Sequence, residues 1–168
     1  YLHDIGWFQS FDKQLPVDQC GRPLPWVTYS FIDFITERLN ESLDVFEYGS
    51  GNSTEWYAKN VKSVTSVEHD KEWFDIVKND MPNNVSLSFQ ELVYGGDYSN
   101  ASNLCGKSFD LVVIDGRDRV NCIKNSIHSL KRGGVLVLDD SERNSYAGAL
   151  EFLKTNGVRK SDFWGISP

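Results

Sequence analysis

Acidic side chains follow four short apolar runs of this sequence. They are Glu47, Glu68, Asp115 and the adjacent pair Asp139 and Asp140. If the runs are parallel strands, these acids meet at one edge of a sheet, because ligand crevices lie beyond the carboxyl ends of such strands. Carboxylates in a crevice can accept hydrogen bonds from a ligand, bind a cation or remove a proton. The spacing therefore predicts one acidic ligand site.

A glycine-containing loop, "EYGSGNST" over residues 47–54, follows the first apolar run. Its two glycines let the backbone approach a ligand closely. A dinucleotide-binding loop has the spacing G-x-G-x-x-G, but Thr54 occupies the third glycine position, which disfavours a pyrophosphate ligand. Glu68 ends the next run and is placed to accept two hydrogen bonds from a ribose diol, with His69 beside an adenine ring. The ligand is therefore expected to carry a ribose.

Short apolar runs alternate with helical patterns, which is typical of an α/β protein with a doubly wound, mostly parallel sheet. The run "FDLVVIDG" is apolar on both faces, as a central parallel strand must be. The segment "DFWGI" near the carboxyl terminus predicts a sixth strand. The first five strands are predicted at residues 45–47, 64–68, 85–89, 109–116 and 135–140.

Helical periods separate the predicted strands. One helix is predicted to begin at Trp26, and another at a cap formed by Asn52 with Glu55 three residues later. Residues 94–108 are predicted to be a loop or a poorly formed helix. The basic and glycine residues at 131–134 are predicted to end the helix that precedes the fifth strand.

Aromatic and proline residues mark residues 1–25 as an irregular leader, followed by a single α/β domain over residues 26–168. The leader aromatic side chains, together with Trp26 and Tyr29, either pack in the core or form a lid over the site. Helical spacing predicts that Trp73 and Phe74 are core residues.

Composition limits the classes of partner. The 168 residues carry a formal net charge of −7, which disfavours a nucleic acid partner. The three cysteines are widely spaced and indicate free thiols, so a cytoplasmic location is expected. No apolar run is long enough to span a membrane. The oligomeric state is left open by these patterns.

Four segments resemble the successive signatures of class I S-adenosylmethionine-dependent methyltransferases, which have a Rossmann-like fold: "VFEYGSGNST", "VTSVEHD", "FDLVVIDG" and "GGVLVLDD". The resemblance covers residues 26–166 and implies S-adenosylmethionine as the cofactor, although the last strand of that family is apparently missing. Gln90 or Glu91 would reach the adenine amine. By position, the cofactor-binding residues would be Glu47, Tyr48, Gly49, Ser50, Gly51, Ser53, Thr54, Glu68, His69, Glu91 and Asp115.

The resemblance extends to small-molecule O-methyltransferases that act on catechols and caffeoyl-coenzyme A. It implies that Asp115 is the catalytic residue and that Asp115, Asp139 and Asp140 bind Mg²⁺, an ion that prefers oxygen ligands. Two residues differ from that pattern. Asp140 stands where those enzymes have asparagine, and Arg117 stands where they have lysine, so Arg117 cannot serve as a general base.

The function expected from the sequence is methyl transfer from S-adenosylmethionine to an unidentified small-molecule or glycan-like acceptor, at oxygen. Three alternatives stay open. An aminopropyltransferase would use an acidic pocket for a cationic amine. An NAD-binding oxidoreductase would need a third loop glycine and a catalytic Tyr-Lys or His set, and neither is found. A non-catalytic protein could retain the cofactor pocket alone.

Overall fold

The computed structural model describes the whole chain, residues 1–168. After a short amino-terminal helix, six α-helices and five β-strands alternate, with one 3₁₀ turn at Asn144–Tyr146. In chain order the elements are α1 (Trp7–Lys13), α2 (Tyr29–Thr36), β1 (Asp44–Tyr48), α3 (Asn52–Ala58), β2 (Ser63–Glu68), α4 (Lys71–Val77), β3 (Val85–Phe89), α5 (Asp97–Leu104), β4 (Phe109–Ile114), α6 (Arg119–Ser126), β5 (Leu130–Leu138) and α7 (Ala147–Thr155).

The five strands form one sheet in the order β3-β2-β1-β4-β5, and every neighbouring pair is parallel. The strand order reverses direction between β1 and β4, so the crevice beyond their carboxyl ends is the natural ligand site of this topology. The predicted α/β class and doubly wound sheet are confirmed. None of the helices is long and apolar enough to cross a membrane.

Two apolar layers cover the two faces of the sheet. One layer is built mainly from α2 and α3 with Val45, Val64 and Leu111, and the other from α5, α6 and α7 with Phe46 and Val112. The alternating residues of β1 and β4 are buried on both faces, which explains why these strands are nearly continuous apolar runs. The two strands that lead into the site are therefore held rigidly at the centre of the protein.

The hydroxyl of Tyr48 fixes the end of β1 by hydrogen bonds. It lies 3.0 Å from the Ser99 carbonyl oxygen, 3.0 Å from the Ser102 hydroxyl and 3.2 Å from the Ser126 hydroxyl. All four residues are buried, so each polar group needs such a partner. The cluster joins β1 to α5 and α6 on the face of the sheet away from α2.

The loops after β1 and β4 touch each other at two glycines. Gly49 has a φ of +97°, a conformation that favours glycine, and the Asp115 N–H donates to the Tyr48 carbonyl oxygen at 3.2 Å. A Cβ on Gly116 would collide with the Tyr98 hydroxyl and lie 3.2 Å from the Gly49 nitrogen. The close approach depends on the missing side chain of Gly116, whereas Gly49 is required for its backbone conformation.

The amino-terminal part differs from its prediction in two places. The leader was predicted to be irregular, but it contains α1, whose following turn is closed by the Ser10 hydroxyl donating to the Val17 carbonyl oxygen at 2.8 Å. The helix predicted from Trp26 begins only at Tyr29, and Trp26 is exposed. The Val27 N–H donates to the Pro25 carbonyl oxygen at 3.0 Å, so residues 25–27 form a tight turn that precedes the helix.

The cap predicted at Asn52 is wrong. Asn52 is the first residue of α3, and its side-chain amide donates instead to the Pro16 carbonyl oxygen at 3.0 Å, which ties the leader to the helix. Gly51 is the capping residue, and its N–H donates to the Thr54 hydroxyl at 3.0 Å. Glu55 takes no part in the cap because the helix begins one residue earlier than predicted, which places Thr54 rather than Glu55 at the third helical position.

Helix α4 lies at the rim of the sheet and buries no residue fully. Trp73 was predicted to be core, but it is 41% exposed, and its indole N–H donates to the Ser50 carbonyl oxygen at 2.8 Å. Phe74 is half-buried against Phe89, with ring centroids 5.8 Å apart. Helical spacing identified the apolar stripe but could not show that this helix covers only the edge of the sheet.

Three predictions for the second half of the chain are wrong or incomplete. Residues 97–104 form a regular helix, α5, and residues 131–134 belong to β5 rather than to a helix end. The extra residues of this segment are accommodated by an irregularity in the pairing of β4 with β5. "DFWGI" forms no strand, because its backbone and Phe163 pack on α2 instead: the Tyr29 N–H donates to the Ile166 carbonyl oxygen at 3.0 Å.

Replacing Gly116 by alanine is expected to lower the free energy of unfolding by about 1–3 kcal/mol, since the added methyl collides with the Tyr98 hydroxyl and crowds the loop at Gly49. Gly148 is the matched control, because a Cβ there meets nothing within 4 Å. Gly148→Ala lies in α7 and is expected to be neutral or stabilising by up to about 1 kcal/mol. Urea unfolding of both variants measures the difference, and equal effects would show that the loops do not meet as described.

Candidate active site

A crevice of about 490 Å³ opens where β1, β2 and β4 end. Three of its walls carry carboxylates predicted from the sequence, at Glu47, Glu68 and Asp115. The floor is formed by the two loops that meet at Gly49 and Gly116. The lining residues are Glu47, Tyr48, Gly49, Ser50, Ser53, Glu68, His69, Asp70, Trp73, Asp115, Gly116, Arg117 and Arg119.

Glu47 is almost completely buried at the end of β1. Its two carboxylate oxygens accept hydrogen bonds from the hydroxyls of Ser53, at 2.5 Å, and Thr54. Burial raises the pKa of Glu47 to about 7, and the negative charge of Glu68 adds to the effect, while the two hydroxyls oppose it. Near neutral pH this carboxyl group is therefore poised between its neutral and ionised forms.

The carboxylate of Glu68 is fully engaged within the protein. One oxygen accepts from the N–H and the hydroxyl of Ser50, both at 3.0 Å. The other accepts from the N–H groups of His69, at 2.7 Å, and Asp70, at 2.9 Å. A carboxylate has about four lone-pair sites, so a ligand hydroxyl can bond to Glu68 only by displacing one of these donors. The Ser50 hydroxyl is the donor that a side-chain rotation can remove.

His69 covers the Glu68 carboxylate. Its Nδ1 lies 2.9 Å from Glu68 Oε1, but the geometry forms no hydrogen bond, and this buried nitrogen has no partner. The His69 ring meets the Tyr98 ring edge-on, with centroids 5.5 Å apart. The ring of His69 therefore lines the crevice, while its Nδ1 is enclosed beside Glu68 and is not open to a ligand.

An ion pair between Asp115 and Arg119 lies at the end of β4. Asp115 Oδ1 accepts a hydrogen bond from Arg119 Nη2 at 3.0 Å. Burial raises the pKa of Asp115, and the nearby charge of Asp139 raises it further, whereas Arg119 lowers it. The side chain is 34% exposed, so the rise reflects partial burial together with the second acid beside it. Asp115 is therefore a stronger base than an ordinary aspartate.

A second and larger groove of about 1430 Å³ begins at the same point. It runs along β5 and α2 and is lined by apolar side chains, including Trp26, Phe34 and Phe163. Asp115 and Arg119 line both the groove and the smaller crevice. The two cavities therefore meet at the end of β4.

Several predicted site residues are not at the crevice surface. The side chain of Tyr48 is buried in the core, so only its main chain is available to a ligand. Gly51 and Thr54 lie behind the lining, where Thr54 holds Glu47. Glu91 is exposed after β3 and is not part of the lining.

Five lining residues were not among the predicted site residues: Asp70, Trp73, Gly116, Arg117 and Arg119. Arg119 follows Asp115 by four residues, but Asp115 lies in the loop before α6, so the rule for helical pairs at that spacing gave no signal for the ion pair. Trp73 was assigned to the core from helical spacing alone. Gly116 ends the "FDLVVIDG" run, and nothing local indicates that Tyr98 occupies the space of its missing side chain.

The proposed Mg²⁺ ligands do not form a metal site. Asp115, Asp139 and Asp140 do converge, but the group between them is the guanidinium of Arg119. No set of three or more His, Cys, Asp or Glu side chains is arranged to hold one ion. A positively charged side chain at the centre of the carboxylates is incompatible with a divalent ion at the same place.

Comparisons with known proteins agree with this geometry. A family described as methyltransferase domain matches residues 46–141. A methyltransferase-like protein from Silicibacter pomeroyi is 26% identical, with a TM-score of 0.61 over 78% of this chain and 81% of that one. A TehB-like SAM-dependent methyltransferase from Corynebacterium glutamicum has the same fold, with 16% identity and a TM-score of 0.55 over 76% of this chain and 71% of that one. Among curated proteins none matches the sequence.

The raised pKa of Glu47 predicts a pH dependence of stability. Since the folded value of about 7 exceeds the ordinary 4.5, the stabilisation from proton binding is complete below pH 4.5 and is lost as pH rises through 7. The difference in unfolding free energy between wild type and Glu47→Gln should fall by roughly 3 kcal/mol across this interval. Urea unfolding at several pH values measures it, and a flat difference would contradict the assignment.

Proposed function

As a member of the methyltransferase-domain family, this protein is an S-adenosylmethionine-dependent methyltransferase, and we propose that it methylates an oxygen of a small-molecule or glycan-like acceptor. The observation that carries the proposal is the position of Asp115. Its side chain lines both the acidic crevice and the larger groove. A base at that junction reaches both a cofactor in the crevice and an acceptor in the groove.

The crevice fits the cofactor in size and charge. Its volume of about 490 Å³ lies within the usual range for ligand pockets. S-adenosylmethionine carries a sulfonium and an ammonium group, and the walls carry the acids Glu47, Glu68 and Asp115. When bound, the cofactor supplies an electrophilic methyl group.

We assign the residues of the crevice to the two ends of the cofactor. Glu47 and the loop at Gly49 would hold the amino-acid end, with Ser53 and Thr54 acting by fixing the Glu47 carboxylate. Glu68 would bind the ribose, with His69 beside the adenine. The contact of Gln90 or Glu91 with the adenine amine stays a prediction, since neither lines the crevice.

Asp115 is assigned as the general base. A hydroxyl acceptor must lose a proton as it attacks the methyl carbon, and a carboxylate with a pKa shifted towards neutrality accepts that proton better than an ordinary one. Arg119 fixes the orientation of the Asp115 carboxylate through one oxygen. Arg117 borders the crevice but cannot remove a proton, because arginine stays charged.

The groove supports an acceptor with both apolar and polar parts. Its wall combines aromatic residues such as Trp26 and Phe34 with charged residues near the end of β4. The net charge of −7 disfavours nucleic acid as the acceptor. Of the residues predicted to form a lid, Trp26 borders this groove, and closure by the leader stays a prediction, as does a cytoplasmic location.

Cofactor binding is tested by calorimetric titration with S-adenosylhomocysteine. Glu68→Ala is expected to weaken binding at least about tenfold, because it removes a charged acceptor for the ribose hydroxyls. Ser50→Ala is expected to strengthen binding by about two- to fivefold, because the ligand no longer displaces the serine hydroxyl from Glu68. Full-strength binding to Glu68→Ala would refute the ribose assignment.

Methyl transfer is tested with methyl-labelled S-adenosylmethionine and three acceptor probes: a catechol, a methyl glycoside and a primary amine. Label is expected on an oxygen probe, and Asp115→Asn should lower kcat about 100-fold or more while S-adenosylhomocysteine still binds. The rate should rise with pH as Asp115 ionises. Transfer to the amine alone would overturn the oxygen acceptor, and an unchanged Asp115→Asn rate would overturn the general base.

A further inference from the structure

The guanidinium of Arg119 lies at the centre of the acidic corner where β4 and β5 end. The residue is only 9% exposed. Its Nη2 lies 3.0 Å from Asp115 Oδ1, and its Nη1 lies 3.4 Å from Asp139 Oδ2 and 3.5 Å from Asp140 Oδ2. One cation therefore serves three carboxylates from two different strand ends.

The same guanidinium bonds to the backbone of both loops. Nε donates to the Gly116 carbonyl oxygen at 3.0 Å, Nη2 to the Asp115 carbonyl oxygen at 2.9 Å, and Nη1 to the Asp139 carbonyl oxygen at 2.7 Å. A divalent ion at the end of two strands does the same two things: it neutralises carboxylates and draws the strand ends together. Here the guanidinium of Arg119 neutralises the carboxylates and also joins the two strand ends.

The two arrangements exclude each other. Mg²⁺ requires oxygen ligands at about 2.0–2.1 Å in an octahedron, whereas the oxygens around Arg119 are spread along a planar fork of N–H groups at hydrogen-bond distances. An ion entering this corner would have to expel the guanidinium and compete with its fixed charge. The carboxylates alone would otherwise be an attractive set of oxygen ligands.

We propose that Arg119 takes the place of a divalent cation in this protein, so that the junction of the crevice and the groove is organised by an arginine and works without metal. Arg119 is in this sense a positioning residue, which holds Asp115 and the β5 end through their backbone and side chains. The inference rests on these contacts and goes beyond the proposed acceptor. It can hold or fail independently of methyl transfer.

The first test is direct titration of the wild-type protein with Mn²⁺ and Mg²⁺, followed by calorimetry. No saturable binding is expected up to about 1 mM, the weak end of carboxylate ion sites. Affinity for S-adenosylhomocysteine should be the same with and without EDTA. A single Mn²⁺ site with micromolar affinity that disappears in Asp139→Asn would overturn the proposal without deciding the acceptor.

The second test removes the guanidinium. Arg119→Ala leaves three converging carboxylates without their cation, and this variant is expected to bind Mn²⁺ at least about tenfold more tightly than wild type. Binding should also raise its Tm, because the ion binds only the folded state. Arg119→Gln, which keeps hydrogen-bond donors and removes the charge, is measured beside it in case the alanine variant does not fold.

Arg143 provides the matched control. It is half exposed and pairs only with Asp140, so Arg143→Gln removes a positive charge from the same corner without opening its centre. We expect no gain of Mn²⁺ binding in Arg143→Gln. Arg119→Lys should keep the corner closed to Mn²⁺, since it retains the charge. Equal Mn²⁺ affinities of wild type, Arg143→Gln and a folded Arg119→Gln would refute the proposal.

Discussion

Buried negative charge is the constraint on which the rest of the site depends. The parallel sheet brings several carboxylates to one edge, and each needs compensation when it leaves water. The protein uses a different solution for each group. Glu68 is surrounded by N–H and O–H donors, Glu47 binds a proton near neutrality, and Asp115 shares the guanidinium of Arg119 with its neighbours.

These arrangements persist because the core holds in place the strands that carry the acidic loops. β1 and β4 are buried on both faces, and the Tyr48 hydroxyl ties the end of β1 to two helices on the far side of the sheet. The two loops meet at Gly49 and Gly116, and both glycines line the crevice. The positions of the charged groups at the strand ends therefore depend on core packing several residues away.

The sequence was sufficient for the sheet and for the edge at which the site lies, because apolar runs and the acids after them are local patterns. The sequence alone could not show in which direction each side chain points. Trp73 has helical spacing, yet it lies at the rim and bonds to the loop. The three aspartates were identified, but the residue between them was not, since a long polar side chain such as Arg119 leaves no periodic signal. Glu68 was recognised as an acceptor, while its engagement by Ser50 depends on loop geometry.

The half-protonated state of Glu47 has a consequence for ligand binding. A positive charge that enters the crevice favours the ionised carboxylate, so its arrival expels a proton to the solvent. Cofactor affinity will therefore strengthen as pH rises towards 7 and then level off. The measured heat of binding will also vary with the ionisation enthalpy of the buffer, because the buffer takes up the proton that Glu47 releases.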